Sequence, residues 1–413
     1  MTSPNRLTSD AGARGSDPAT GLGARASRRT ITALTVCQAL LFTNNAILIS
    51  LGGLAGQALA PHKHLATLPV TAGVVGGALT TFYASVLMQR VGRRAGFTLG
   101  AAFGVLGAAI CSLSLVLSNF WGFCLGSLVC GVYNAFGGYY RFAAAEAARP
   151  EAKANAISIV LVGGLAGGIL GPWTSRHTKE LFATPFLGSY LSLFAFLAVV
   201  LVTLRFVALS RPTGGDGPAS ARPLRRIVSE PLFIVAALSA ALGYGVMSLL
   251  MTATPLAMGA CGHPYGDATT VIASHVVAMF APALVTGRLI QRFGVFHVML
   301  AGVALNLACV GVALAGADVP HFLGALVLLG VGWNFMYIGG TTLLSEVVRP
   351  ADRARAQGMN DLAIFVTMVL SSFASGVIVE RDGWRTLNLA AVPFLLAAGG
   401  AIVWVAARRP RAA

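Results

Sequence analysis

Charged side chains are scarce in this 413-residue sequence. Asp, Glu, Lys and Arg together make up only 10% of it, whereas 56% of the residues are hydrophobic. A water-soluble globular protein carries about 25% charged residues, which it needs to cover its surface. The shortage of charge therefore excludes a soluble globular protein and predicts an integral membrane protein.

Acidic residues are rarer than basic ones. The sequence has 14 Asp and Glu and 29 Lys and Arg, which gives a formal net charge of +15. The basic residues lie in short clusters between apolar runs rather than on one helix or patch. This spacing is typical of residues that set membrane topology and argues against binding to nucleic acid.

Paired cysteines and catalytic groups are missing as well. The six cysteines show no spacing typical of a disulfide framework or a zinc site. No nucleophile with a neighbouring base is apparent, and the HKH stretch at 62–64 has no further metal ligands beside it. We therefore expect no metal, no cofactor and no enzymatic activity.

Apolar runs long enough to cross a bilayer recur twelve times along the chain. A transmembrane helix needs about 20 mostly apolar residues. The first run is too long for a signal-peptide core, so we interpret it as a retained span. The sequence predicts transmembrane helices over 31–56, 66–88, 96–117, 120–144, 155–173, 186–209, 231–257, 269–290, 296–316, 321–344, 357–379 and 387–407.

Positive charge is distributed unequally between the two sides of these spans. Twenty-four of the 29 Lys and Arg lie on the side of the two termini, and the other side receives only Lys63, Arg176, Lys179, Arg381 and Arg385. By the positive-inside rule both termini are cytoplasmic. The sequence thus predicts a multi-pass protein of the plasma membrane, the inner membrane of a bacterium.

A polar, Pro- and Gly-rich stretch, RPTGGDGPASARPLRR, separates the spans six and six. The Ser-, Gly- and Arg-rich N-terminus has the composition of a disordered segment. The predicted organisation is a disordered cytoplasmic tail (1–30), a first six-helix bundle (31–210), a cytoplasmic linker (211–230), a second six-helix bundle (231–408) and a short cytoplasmic tail (409–413).

Three landmarks recur at an offset of 200–202 residues, which indicates an internal repeat. The paired landmarks are QRVGRR at 89–94 and QRFGVF at 291–296, Glu146-x-x-Arg149-Pro150 and Glu346-x-x-Arg349-Pro350, and Tyr133-Asn134 and Trp333-Asn334. Chance identity at one position is common, but an ordered set on both sides of a central linker predicts two similar halves.

With these motifs the chain resembles the major facilitator superfamily over about residues 30–408. In that family the cytoplasmic loop after the second helix reads Gly-x-x-x-Asp-Arg-x-Gly-Arg-Arg/Lys. The sequence has Ser85-x-x-x-Gln89-Arg90-x-Gly92-Arg93-Arg94 and, in its second copy, Gly287-x-x-x-Gln291-Arg292-x-Gly294. The resemblance implies an all-α membrane fold of twelve helices in two pseudo-symmetric six-helix bundles, with the substrate site between the bundles near the midplane.

The resemblance also implies that this loop is part of an inner gate, in which Arg90 and Arg93 bridge to carboxylates across the halves. Glycine suits the tight turn that the motif makes. Because Gln89 replaces the usual aspartate, we expect Asp361 to supply the missing charge; alternatively, Asp361 stabilises the first turn of the eleventh helix. The inner-gate candidates are Gln89, Arg90, Gly92, Arg93, Glu146, Arg149, Gln291, Arg292, Gly294, Glu346, Arg349 and Asp361.

In this architecture the first, fourth, seventh and tenth helices line the cavity. Their polar and aromatic candidates are Asn44, Asn45, Tyr133, Asn134, Tyr244, Trp333, Asn334 and Tyr337. An amide facing lipid is costly, so each asparagine should face protein or water. Hydrogen bonding between helices is the alternative role. An aromatic residue beside each repeated asparagine favours a planar or moderately apolar solute.

Three ionisable residues inside the spans are candidates for proton coupling or anion binding. His275 and Asp361 are the proton-coupling candidates, although a neutral, packed histidine is the alternative for His275. Arg141 in YYRF either binds an anionic group or extends to the cytoplasmic surface.

The function that the resemblance implies is a secondary active transporter. We expect a monomer that moves a small organic solute by alternating access, driven by protons. GGLAGGILGP at 163–172 partly matches the fifth-helix signature of drug antiporters, but Ser175-Arg176 replaces its last glycines and Ser127 stands where those proteins have an arginine. Drug efflux is therefore the alternative, and a non-transporting sensor or assembly protein is a remote one.

Overall fold

The structure of the protein is a computed structural model that describes residues 18–149, 153–208, 224–348 and 352–408. Nearly all of these residues are helical, and no strand occurs among them. Their helices are α1 (Pro18–Leu59), α2 (Leu68–Val91), α3 (Arg93–Val116), α4 (Phe120–Gly137), α5 (Tyr140–Ala147), α6 (Lys153–Thr178), α7 (Leu187–Leu204), α8 (Leu224–Val228), α9 (Pro231–Ala260), α10 (Tyr265–Phe280), α11 (Ala283–Phe293), α12 (Val295–Ala315), α13 (Val319–Val347) and α14 (Arg353–Arg408).

Each of the twelve predicted spans falls on one or more of these helices. By length and apolar composition, nine helices among the described residues could cross a membrane, or ten if the bent pair α10 and α11 forms one span. The 56 residues of α14 would measure about 84 Å as a straight helix, whereas a bilayer core is about 30 Å thick. Gly383, at φ +76°, breaks α14 between the last two predicted spans. Twelve crossings remain a prediction.

The N-terminal boundary differs from the prediction, because α1 begins at Pro18 and residues 18–30 are helical rather than disordered. Two hydrogen bonds hold this part of α1 against neighbouring helix ends. The Ser27 hydroxyl donates to the carbonyl oxygen of Ala147 over 2.6 Å, and the Thr30 hydroxyl donates to that of Ala208 over 3.3 Å. Residues 18–30 are therefore not part of a disordered tail. Residues 1–17, most of the linker and the tail 409–413 lie outside the described residues.

Two separate hydrophobic cores correspond to the two predicted halves. One core is built from buried residues between Ala33 and Val207, and the other from buried residues between Ile227 and Val405. Helices α1–α7 form the first half and α9–α14 the second. Since each half encloses its own core, the boundary between them is a surface along which a binding site can form.

Glycine occupies the same turn in both halves, as the repeat predicted. Gly92 between α2 and α3 has φ +91° and ψ 154°, and Gly294 between α11 and α12 has φ +85° and ψ 151°. Side-chain-bearing residues rarely adopt these angles. The predicted positions of the two turns are confirmed, and the matching angles show that the repeat is structural.

Replacing Gly294 by alanine should destabilise the protein by about 1–3 kcal/mol, because a Cβ atom strains a backbone with positive φ. The readout is thermal unfolding of the purified protein. Gly287→Ala is the control: Gly287 lies in α11 with open space around its Cα, so alanine should leave stability unchanged or raise it slightly. Equal stability of the two variants would show that the turn carries no strain penalty.

The two halves meet at the end of the molecule away from the Gly92 and Gly294 turns. There the hydroxyl of Thr71 in α2 donates to that of Ser372 in α14 over 3.0 Å. The hydroxyl of Tyr265 in α10 donates to that of Ser175 in α6 over 2.9 Å. These two hydrogen bonds join the halves at this end.

Candidate substrate site between the halves

An aromatic cluster crosses the boundary between the halves. Tyr244 of α9 makes edge contacts with Trp333 and Tyr337 of α13, with ring centroids 5.0 and 5.1 Å apart. Trp333 and Tyr337 stack on each other at 5.1 Å with an angle of 11° between their planes. Phe280 of α10 lies 6.0 Å from Trp333 and 5.0 Å from Phe42 of α1. The stacked pair thus belongs to the second half, and Phe42 brings α1 of the first half to the edge of the cluster through Phe280.

Spacing along the helices explains this cluster. Trp333 and Tyr337 are four residues apart on α13, so their side chains lie on one helix face. The sequence predicted Tyr244, Trp333 and Tyr337 as cavity residues, and the structure brings these three together. It missed Phe42 and Phe280, because phenylalanine is equally common on lipid-facing surfaces of an apolar helix.

Trp333 carries an unused hydrogen-bond donor at the centre of the cluster. Its side chain is only 3% exposed, and its indole Nε1 has no hydrogen-bond partner among the described residues. A buried indole N–H usually has a partner, and leaving one without it costs free energy. An acceptor atom on the edge of a bound ring would satisfy this donor.

Asn45 joins the site from α1, whereas Asn44 does not. Phe42, Asn45 and Ile49 share one helix face, and both Phe42 and Ile49 contact the second half. Asn44 is 3% exposed and lies on the face that carries Leu41 into the core of the first half. Asn44 is therefore a core residue of the first half rather than a cavity amide, and a cavity role for Asn45 stays a prediction.

Two further cavity candidates are packed away from the boundary. The Thr286 hydroxyl donates to Asn334 Oδ1 over 2.7 Å, and Asn334 Nδ2 donates to the carbonyl oxygen of Met279 over 2.6 Å. Both the oxygen and the nitrogen of the Asn334 side-chain amide are thereby used to join α13 to its neighbours. Hydrogen bonding between helices is the alternative role considered for this residue. Tyr133 is 2% exposed and packs against Gly104 in the core of the first half.

Asn134 differs from its repeat partner. It is half-buried, and its Oδ1 has no hydrogen-bond partner in the described part of the chain. It lies on α4 between Gly131, which contacts α2, and Gly137, which contacts Leu41 of α1. Asn134 therefore retains an acceptor on the inner side of the first half.

Opposite charges from the two halves attract each other across the boundary. Arg141 of α5 interacts electrostatically with Asp361 of α14, and both interact with Tyr244 of the aromatic cluster. Arg141 Nε has no hydrogen-bond partner among the described residues, while Asn360 Nδ2 lies 3.3 Å from Asp361 Oδ1. The charges of Arg141 and Asp361 therefore act on each other across the boundary between the halves.

The alternative role of Asp361 at the start of a helix is wrong. α14 begins at Arg353, earlier than predicted, so Asp361 lies eight residues along it. The helix dipole acts mainly within the first turn. Asp361 is half-buried, and its charge interacts with the opposite half rather than with the helix terminus.

His275 is packed between α10 and α13. It is fully buried, and its Nδ1 lies 2.7 Å from the carbonyl oxygen of Leu326. A carbonyl only accepts, so Nδ1 carries the hydrogen in this contact. This is the geometry of the packed, neutral histidine that was the alternative to a proton carrier.

The turn after α2 holds an ion pair, but within one half. Arg93 forms a bidentate pair with Glu146, in which Nη2 donates to Oε1 over 2.6 Å and Nε donates to Oε2 over 3.2 Å. The Cζ atom of Arg93 also lies 5.5 Å from the centre of the Tyr139 ring. The expected bridge from Arg93 to the second half is therefore absent from the described residues. Among the other gate candidates, Arg90, Arg149, Gln291 and Arg292 are exposed, and so are Glu146 and Gly294.

Three further gate candidates lie wholly or partly outside the described residues. The side chains of Gln89 and Glu346, and the whole of Arg349, lie outside the described residues. Whether Asp361 replaces the charge that Gln89 lacks thus stays a prediction. The positive charge that acts on Asp361 among the described residues is that of Arg141, which is not one of the predicted loop arginines.

Close packing of α6 on α1 supports one wall of the site. A Cβ atom at Gly163 or Gly167 would overlap the backbone carbonyl oxygen of Thr35 or Ala39, and one at Gly171 would meet Ala46. These three glycines, spaced four residues apart, lie on one face of α6 and form a close helix contact. It holds α1, and hence Phe42 and Asn45, in position against the second half.

Comparison with known proteins agrees with this architecture. The family described as Major Facilitator Superfamily matches residues 34–281 and 236–413. "Riboflavin transporter RfnT" of Brucella anthropi is 40% identical over 376 residues, which cover 90% of this chain and 94% of that protein. "Uncharacterized MFS-type transporter YddS" of Bacillus subtilis is 28% identical over 86% of each chain.

Two solved structures have the same fold. A mutant of the nucleoside transporter NupG superposes with a TM-score of 0.74 at 15% identity, covering 91% of this chain and 99% of the other. A bacterial homologue of the human lysosomal transporter Spinster, described as inward-facing and unoccupied, gives a TM-score of 0.68 at 14% identity over 92% and 96%.

Proposed function

This chain belongs to the major facilitator superfamily, and we propose that it carries riboflavin or a closely related flavin across the membrane by alternating access. The observation that carries this proposal is the aromatic cluster around the stacked rings of Trp333 and Tyr337 at the boundary between the halves. A relative named as a riboflavin transporter, 40% identical over nine-tenths of the chain, supports the same substrate class.

The chemistry of a flavin suits the groups in this cluster. Its ring system is planar and apolar on both faces, and stacking of such rings on aromatic side chains contributes about 1–3 kcal/mol each. Polar atoms lie along the ring edge, where the free N–H of Trp333 and the amide of Asn45 offer hydrogen bonds. The sugar-like side chain needs further polar partners, and Asn134 retains an acceptor on the facing half.

The arrangement of the two halves supports alternating access. They are hydrogen-bonded at the end away from the Gly92 and Gly294 turns, through Thr71–Ser372 and Ser175–Tyr265. Twenty-four of the 29 Lys and Arg lie on the side of those turns and the termini. We place the termini in the cytoplasm on this basis, with the protein a monomer in the plasma membrane, open to the inside in the present arrangement.

Asp361 is the residue that we propose for proton coupling. It is a half-buried carboxyl group attracted to Arg141 of the opposite half, so its charge state changes the attraction between the halves. We favour Asp361 over His275 for this role because His275 is buried and bonded to the carbonyl oxygen of Leu326.

Asp361→Asn should abolish accumulation driven by a pH gradient, with a loss of at least tenfold, while exchange of riboflavin across the membrane continues. The asparagine keeps the size of the side chain but cannot release a proton. Asp318→Asn, at a carboxyl group whose side chain is 83% exposed, is the control and should accumulate substrate normally. Gradient-driven accumulation by the Asp361→Asn variant at the wild-type level would remove Asp361 from coupling.

Cellular accumulation of radiolabelled riboflavin tests the substrate. Cells without their own flavin carrier are compared with and without this gene, at equal amounts of protein in the membrane. Accumulation above the vector control indicates uptake and accumulation below it indicates export, and either supports a flavin carrier. Equal accumulation with the protein present would contradict the proposal.

A further inference from the structure

A cavity lies on the outside of the boundary between the halves, separate from the aromatic cluster. It is a crevice of about 620 Å³ whose walls come from α6 of the first half and from α10 and α13 of the second. Ile169 and Trp173 on α6 are 50% and 60% exposed beside it. α6 contains the predicted span 155–173, and large exposed apolar side chains of a spanning helix face lipid, so we expect the crevice to open toward the hydrocarbon.

One end of the crevice is positively charged. Arg176 lines it at the end away from the termini, where its guanidinium lies against the backbone of Gly266. The nearby Lys179 is paired with Glu180 over 2.7 Å. Arg176 has no ion pair with any described residue, so its charge is the one that remains uncompensated at this end.

The rest of the crevice is apolar and elongated along the helices. From the Arg176 end it runs past Thr270 and Ser274, which add hydroxyl groups, to Ala273, Val331 and Pro282. A positive charge and hydroxyl groups at the membrane surface, followed by an apolar channel toward the membrane interior, match a molecule with an anionic head and a hydrocarbon chain.

We propose that this crevice binds an anionic phospholipid, with its phosphate on Arg176 and an acyl chain along Ile169, Ala273 and Val331. The phosphate forms a charge-assisted hydrogen bond with the guanidinium. The acyl chain covers the apolar walls. Because these walls belong to both halves, the bound lipid stabilises the arrangement in which α6 and α10 are in contact at Gly168 and Val276.

Native mass spectrometry of the purified protein, titrated with phosphatidylglycerol, tests this site. We expect Arg176→Gln to weaken lipid binding about fivefold, the effect typical of one basic residue near a membrane surface. Arg381→Gln, an exposed basic residue on the same side of the membrane, is the matched control and should bind as the wild type does. Equal weakening in both variants would mean only general attraction of anionic lipid and would overturn the proposal.

A second variant tests the apolar part of the site. Ala273→Trp places a large ring into the crevice and should reduce bound phosphatidylglycerol at least fivefold, without changing riboflavin exchange. Phosphatidylcholine, which has no net charge, should bind the wild type more weakly than phosphatidylglycerol. Unchanged lipid binding by Ala273→Trp, or equal binding of the two lipids, would overturn the site whatever the outcome for riboflavin.

Discussion

Replacing Trp333 by alanine should raise the riboflavin concentration that gives half-maximal exchange at least tenfold. The indole is the centre of the cluster, in contact with Tyr244, Phe280 and Tyr337. Its loss removes one stacking surface, worth about 1–3 kcal/mol, and the unused N–H donor. Trp333→Phe keeps a ring at this position and should fall between the wild type and the alanine variant.

Stability must be separated from binding in this experiment, since removal of a buried tryptophan costs about 3–5 kcal/mol. Thermal unfolding of each variant therefore accompanies the transport assay. Trp121→Ala is the matched control, because Trp121 is 62% exposed on α4 and should face lipid. A folded Trp333→Ala protein with wild-type affinity for riboflavin would place the substrate elsewhere.

Replacing Gly167 by leucine should remove most of the folded protein. A Cβ atom at this position would overlap the carbonyl oxygen of Ala39 and crowd the backbone nitrogen of Thr43. These are backbone atoms of α1, so no change of rotamer relieves the clash and the two helices must separate. Overpacking of this kind costs about 3 kcal/mol or more, and it also displaces Phe42 and Asn45 from the boundary.

The measurement for this variant is the thermal unfolding and the monodisperse yield of purified protein. Gly311→Leu is the matched control, because Gly311 in α12 has nothing within 4 Å of an added Cβ atom. We expect the control to purify and unfold as the wild type does. Similar stability of the two leucine variants would show that the contact between α6 and α1 is looser than the structure has it.

The helices and the repeat could be predicted because both leave strong signals in the sequence. A long apolar run separated by basic residues has few interpretations, and each predicted span falls on a helix. The offset between the two QR-x-G motifs identified Gly92 and Gly294, whose dihedral angles agree within a few degrees. A turn that requires positive φ restricts the residue type, so its position is visible in the sequence.

The directions of side chains could not be predicted in the same way. In a membrane protein the lipid-facing side of a helix is as apolar as its packed side, so periodicity does not separate the two. Asn134 and Asn334 therefore occupy equivalent positions in the repeat. Of the two, only Asn334 uses both its amide oxygen and its amide nitrogen in hydrogen bonds between helices. Likewise, Asp361 could be separated from a helix-capping role only once the start of α14 at Arg353 was known.

Counterflow of riboflavin in proteoliposomes tests the central claim most directly. Vesicles that contain the purified protein are loaded with unlabelled riboflavin and diluted into radiolabelled riboflavin, with no ion gradient. A carrier should accumulate label transiently, in either orientation, and Trp333→Ala should need at least ten times more substrate for the same rate. Absence of counterflow by folded wild-type protein, with lipid composition varied, would contradict a flavin carrier.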